Sequence, residues 1–372
     1  MNRREFLTAA LAGAAVAGCT TAGAAGKGAN VPWVARANGG GDPRMRGPFP
    51  IASTPYHEDG SVDYDALGRE VLFVAKNGCP GVIWCQSNDA IDLLTLEEKK
   101  KGFEACAKAM QGQKCMLTLG ANGANDDAML ATAKAIEEVA AKYPRTNIAI
   151  ISRPGDDTRT EDDLRRYYEK LGNVARRPII IQTACNDKTP TPSVKLIVEL
   201  AKKWPDRFGY IKEEAGGSLA NERMREENAA KPVVHTVFSA WGGWQWLYQS
   251  RQMGSEGLIT ERCAYAPLLA KIWRLMEAND QTGEVDLGYA LLRLLIDQRN
   301  FPGGLRGYSL YFMQKEGIFT NLVSREYEKA KQDDGGTRGE GKKWKLGTVK
   351  LSADQKAELD ALYETMWKFC RR

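Results

Sequence analysis

The sequence predicts a (β/α)8 barrel followed by a helical C-terminal extension. Three observations carry that expectation. Eight short apolar runs alternate with amphipathic stretches over about 220 residues, the signature of repeated strand–helix units. The runs are near-continuous in apolar residues, as strands covered by helices are. No Gly-rich phosphate loop follows the first of them. That absence, with the count of eight, favours a closed barrel over an open doubly wound sheet.

The strand signals fall near 49–53, 81–86, 116–120, 148–151, 178–182, 210–212, 233–238 and 257–259. Between them lie helical stretches such as DYDALGREVLFVAKNG, TLEEKKKGFEACAKAM and DDAMLATAKAIEEVAAKY. Thr95-Leu96-Glu97-Glu98 is a capping box that sets a helix start. From about Ala266 onward the pattern turns wholly helical. The last helix opens on a second box, Ser352 to Gln355, and carries Leu359, Leu362, Met366 and Phe369 on one face. The charged, Gly-containing stretch 331–345 reads as an exposed loop.

The first 18 residues read as an export signal. Two arginines precede an apolar run that is too short to span a bilayer. Arg3-Arg4-Glu5-Phe6-Leu7 resembles the twin-arginine signature. Val16-Ala17-Gly18-Cys19 resembles a lipobox, which predicts a periplasmic lipoprotein tethered to the membrane through lipidated Cys19. Cleavage a few residues later, giving a soluble periplasmic protein, is the competing expectation. Residues 19–46, rich in Gly and Ala, read as a flexible tether, 47–265 as the barrel and 266–372 as helices packed on it.

Composition narrows the function. The 372 residues hold 52 basic and 47 acidic side chains, a formal +5 that is too mixed for a nucleic-acid footprint. The two histidines, His57 and His235, argue against a histidine-rich metal site. The eight cysteines form no CxxC pair, so neither a zinc ribbon nor a thioredoxin-type motif is expected. A chain folded in the reducing cytoplasm before export is expected to carry few disulfides.

Residues 208–217, FGYIKEEAGG, raise a sharper point, because Lys212 ends an apolar run. A buried unpaired ammonium costs several kcal/mol, so such a lysine is pushed outward, paired with Glu213 or Glu214, or made neutral. The neutral amine is a nucleophile.

Four segments in order resemble the dihydrodipicolinate synthase / N-acetylneuraminate lyase family. They are ASTPYHEDGSVDY (52–64), NGCPGVIWCQSNDAIDLLTLEEK (77–99), GYIKEEAGG (209–217) and GSEGLITERCAYAP (254–267). The resemblance covers roughly 46–325. It implies that Lys212 forms an imine with the ketone of a 2-oxo acid, with no external cofactor. It places Ser87 and Asn88 as the hydroxyl and amide that bind the substrate carboxylate, with Ser87 able to relay a proton. Thr54, Thr183, Lys188 and Ile259 are the further substrate-binding positions. A homodimer or tetramer is implied as well.

The pattern also breaks. Where the family ends its fifth strand with a proton-shuttling tyrosine, this chain has Gln182, which can orient a substrate but cannot titrate. Dihydrodipicolinate synthesis itself is therefore not expected. Strand alternation puts Tyr210 on the face of Lys212, so its phenol is the expected substitute, or else it fills the pocket. Asp156 and Asp157 are the alternative bases, although such residues are more often solvated loop carboxylates. The tryptophans of SAWGGWQWLYQ (239–249) either stack on a sugar ring or pack internally.

The expected function is an exported Schiff-base lyase, aldolase or dehydratase acting on a 2-oxo acid, plausibly derived from a sugar acid. The alternative is a barrel without catalysis that serves as a solute-binding or surface assembly protein.

Overall fold

The computed structural model of the chain describes residues 32–34, 41–86, 89, 91–155, 158, 160–184, 191–260, 262–297, 304–327 and 343–372. Eight parallel strands form the barrel: β1 (Gly47–Pro50), β2 (Gly81–Trp84), β3 (Met116–Gly120), β4 (Ile148–Ser152), β5 (Ile179–Gln182), β6 (Tyr210–Glu213), β7 (Thr236–Ser239) and β8 (Gly257–Thr260). β1 pairs with β8, and a bridge between Ile51 and Ile83 joins it to β2, so the sheet closes on itself. Helices α1 (Tyr64–Lys76), α2 (Leu96–Ala109), α3 (Asp126–Lys142), α4 (Glu161–Val174), α5 (Val194–Lys203) and α6 (Ser218–Ala229) connect successive strands. Short helical turns between Trp241 and Met253 take that place after β7.

Side-chain alternation divides the strands between two cores. Phe49, Ile83, Ile151, Ile180, Tyr210 and Phe238 fill the barrel interior. Ile179, Ile181 and Ile211 face outward, against the helices. Gln182 and Lys212 lie two residues beyond Ile180 and Tyr210, so they point inward, one step nearer the C-terminal mouth. The strands thus put an apolar floor beneath a polar layer.

Both capping boxes form. Thr95 with Glu98 opens α2, and Ser352 with Gln355 opens the final helix, α10 (Ala353–Cys370). Leu359, Leu362, Met366 and Phe369 are the buried residues of α10. The Lys271 ammonium, on α7 (Ala266–Glu277), donates to the Phe369 carbonyl at 2.8 Å. The six cysteines among the described residues are free thiols, and five of them are buried.

Two expectations need correction. The extension is not wholly helical: after α8 (Glu284–Ile296) and α9 (Gly304–Lys315) comes an antiparallel hairpin, β9 (Val323–Tyr327) with β10 (Trp344–Thr348). Part of the presumed loop 331–345 therefore begins a strand at Trp344. The hairpin escapes a periodicity argument because β9 buries Val323, Ser324 and Arg325 in succession, with no alternation of apolar and polar residues. Second, the tether does not extend to residue 46. Met45 is fully buried in the barrel interior, and Trp33 is buried with its indole nitrogen donating to the Asp280 carbonyl at 2.5 Å.

Candidate active site

The polar layer at the barrel mouth begins with strand register. Gln182 on β5 stands opposite Lys212 on β6. The Lys212 side chain is only 2% exposed, and its Nζ lies 3.2 Å from Oε1 of Glu214. The other carboxylate oxygen, Oε2, accepts from Nε2 of Gln182 at 2.7 Å. Oε1 of Gln182 in turn accepts from Nε2 of Gln86 at 2.7 Å. A continuous polar chain therefore runs from the end of β2 to β6. It fixes the Gln182 amide with its N–H toward Glu214.

The backbone of Glu214 is held as well. Its N–H donates to the Thr183 hydroxyl at 2.5 Å, and its carbonyl accepts from the Trp241 indole at 3.2 Å. Of the outcomes the sequence left open for Lys212, the structure shows proximity to the Glu214 carboxylate, a pairing that offsets the cost of burying the amine.

The opposite face of β6 is locked from behind. Glu213 points outward, where Oε2 accepts from Arg223 Nε at 2.8 Å and Oε1 accepts from the Thr183 hydroxyl at 2.9 Å. Arg223 also reaches Glu227 at 3.4 Å and the Pro192 carbonyl at 2.9 Å. Burial foremost, and then the neighbouring Glu213, push the Glu227 carboxyl well above its ordinary range. These groups anchor the strand end that carries Lys212 to α6.

The predicted residues separate into groups. Lys212 and Gln182 stand opposite each other in register, and both reach Glu214. Tyr210 does face the barrel axis, but its hydroxyl accepts from the Asp42 N–H at 2.6 Å and its ring packs on His235 at 5.1 Å. Asp42 precedes β1, so that phenol serves the closed N-terminal end, away from Lys212; the expected shuttle role is corrected. Burial raises its pKa to about 12.

Thr183 is committed to Glu213 and the Glu214 backbone. Thr54, also fully buried, donates to Asp89 and accepts from the Trp84 indole at 3.1 Å. Ile259 belongs to the apolar interior. Ser87, Asn88, Asp156, Asp157, Lys188 and Cys19 lie outside the described residues. His57 is exposed, 4.0 Å from Asp63. Sequence reasoning treated Glu214 only as an ion-pair partner and did not single out Gln86. Yet Glu214 follows Lys212 by two residues, and the same alternation argument applied to Tyr210 puts it on the lysine's face.

A cavity of about 260 Å³ lies among the segments that follow β6 and β7, lined by residues that include Ala215, Ala240, Trp241, Trp244, Gln245 and Gln249. Trp241 is 46% exposed, whereas Trp246 is fully buried. Of the tryptophan-rich segment, Trp246 therefore packs internally, whereas Trp241 and Trp244 line the cavity.

No protein-family model matches the chain. It is similar to the 4-hydroxy-tetrahydrodipicolinate synthase of Chlorobium chlorochromatii, 25% identical over 284 residues that cover 70% of this chain and 90% of the relative. The Chlorobium limicola enzyme of the same name is 25% identical over 238 residues, 64% of this chain and 75% of that one. The match to the Methanococcus aeolicus synthase spans 45% of the relative's length. Among solved structures, the sialic acid aldolase of Ruminococcus gnavus superposes with a TM-score of 0.69 at 15% identity, covering 88% of this chain and 99% of that one. The dihydrodipicolinate synthase of Rhodopseudomonas palustris does so with 0.64 at 18%, covering 87% and 98%. A further solved form of the Ruminococcus aldolase is its catalytic lysine mutant. These likenesses support the fold and the resemblance to the dihydrodipicolinate synthase / N-acetylneuraminate lyase family.

Proposed function

We propose that this chain is a class I lyase in which Lys212 condenses with the ketone of a 2-oxo acid. One observation carries the reading: an inward-facing lysine at the barrel mouth, 2% exposed, with a carboxylate 3.2 Å from its nitrogen. Active sites of such barrels lie at this face. The neutral amine adds to the ketone, water leaves, and the protonated imine draws electrons from the neighbouring carbon bond. The similarity to lyases of this type, one of them with a catalytic lysine, points the same way. No external cofactor enters this chemistry.

The finer points belong to the same proposal. Ser87 and Asn88 bind the substrate carboxylate, and the tryptophan-lined groove takes the far end of a substrate derived from a sugar acid. The protein is exported by the twin-arginine route, tethered through Cys19, and assembles as a homodimer or tetramer. The test is to incubate the protein with pyruvate, reduce with borohydride and map the adduct by mass spectrometry. A pyruvyl adduct on Lys212, absent in Lys212→Ala, is expected. Stabilisation by 2-oxo acids without any reducible adduct would instead support a solute-binding barrel.

A further inference from the structure

We propose that Glu214 is the acid–base residue of this site, moving protons to and from the substrate carbons once the imine has formed. The inference rests on the Schiff-base reading above. Such a reaction needs a titratable group beside the imine, and Gln182 cannot be one. The phenol of Tyr210 is held by the Asp42 N–H at the other end of the barrel. Glu214 meets each requirement. Oε1 lies 3.2 Å from the nitrogen that becomes the imine, and the reacting carbon C3 is two bonds from that nitrogen. The carboxylate is therefore within proton-transfer reach of C3 and its substituents. Its side chain is 13% exposed, against 2% for Lys212, so it can exchange its proton with water.

Its orientation is set. Gln182 donates to Oε2, Gln86 fixes Gln182, and the Thr183 hydroxyl and Trp241 indole hold the backbone.

The electron count closes without a co-reactant. In cleavage, the Glu214 carboxylate takes the proton of the C4 hydroxyl, whose O–H electron pair becomes the new carbonyl bond. The C3–C4 bond breaks, its pair forms C2=C3, and the C2=N pair moves to nitrogen, giving a neutral enamine. The Glu214 acid then protonates C3, regenerating the imine, which water hydrolyses. With pyruvate, the same group removes and returns a C3 proton.

Pyruvate in D2O therefore tests the proposal without the natural substrate. Proton NMR follows loss of the methyl signal, and borohydride trapping counts the imine. Glu214→Gln keeps an acceptor for Gln182 and is checked for folding by its melting curve, with Glu214→Asp as a second variant. The proposal expects Glu214→Gln to trap pyruvate on Lys212 as the wild type does, while exchange slows about 100-fold or more, as loss of a general acid–base group does. Glu214→Asp should recover part of that rate. Exchange within threefold of wild type in a trapping Glu214→Gln overturns the proposal and leaves the imine reading standing. A folded Glu214→Gln that traps nothing overturns it as well, because the carboxylate would then be needed to form the imine. Absence of an adduct in the wild type overturns the Schiff-base reading and this inference with it.

Discussion

Arg325→Ala removes the clamp between the C-terminal hairpin and the barrel's first two loops. The guanidinium is 4% exposed. It donates to the carbonyls of Gly60 at 2.9 Å and Leu93 at 2.8 Å, and to both oxygens of Glu98 at 3.1 and 2.6 Å. It also lies over the rings of Tyr56 at 5.0 Å and Trp344 at 4.3 Å. Each carbonyl bond lost is counted at about 1 kcal/mol, the typical net value for a hydrogen bond, because water can replace the donor. The Glu98 arm is discounted to about 1 kcal/mol because that carboxylate is 23% exposed and regains water. The ring contacts contribute a further 0.5 to 1 kcal/mol or so. A loss of about 3 to 4 kcal/mol follows, which at about 2 °C per kcal/mol for a chain of this size lowers the melting temperature by roughly 6–8 °C. Arg325→Lys keeps a charge for Glu98 but loses the fork, so about half the loss is expected. Thermal unfolding followed by circular dichroism reads both variants. A shift below about 2 °C for Arg325→Ala would refute the clamp, since that is the size of an ordinary surface substitution.

The same pair makes a pH prediction. Burial works against the Glu98 charge, yet hydrogen bonds from Arg325 and Thr95 outweigh it and hold the carboxyl below its ordinary value of 4.5. A depressed carboxyl gives stability that is present above the unfolded value and lost as pH falls through the folded one. The melting-temperature gap between wild type and Glu98→Gln should therefore narrow as pH drops from about 6 to 3; a constant gap would contradict the assignment. Tyr210→Phe removes the acceptor of the Asp42 N–H. It should cost about 1 to 2 kcal/mol of stability while leaving imine trapping and turnover within twofold; a tenfold fall in turnover would return Tyr210 to the reaction.

Much of the fold was legible because barrel strands are covered on both sides and so read as continuous apolar runs. The capping boxes at Thr95 and Ser352 were legible because each is a local hydrogen-bond device within four residues. The hairpin was not, since Arg325 is buried through partners at positions 60, 93 and 98, more than 200 residues away. The anchoring of Met45 beneath the barrel was hidden for the same reason: a long-range contact leaves no period in the sequence. Gln182 was located by the resemblance and Lys212 by its place at a strand end, and the structure sets them opposite each other on β5 and β6. Tyr210 was placed on the face of Lys212, but alternation fixes a side, not a depth. Its hydroxyl pairs with the Asp42 backbone N–H at the closed end.

Depth also explains why Glu214 was passed over. Read as a sequence, Lys212 with two following glutamates is a strand end meeting solvent, where either carboxylate forms a cheap surface pair. In the structure the two carboxylates part company. Glu213 turns outward and is spent on Arg223 and Thr183, whereas Glu214 turns inward and is steered by Gln182. The Gln182 amide donates to a carboxylate just beyond the lysine's own strand, so a titratable side chain stands beside Lys212 although position 182 holds an amide.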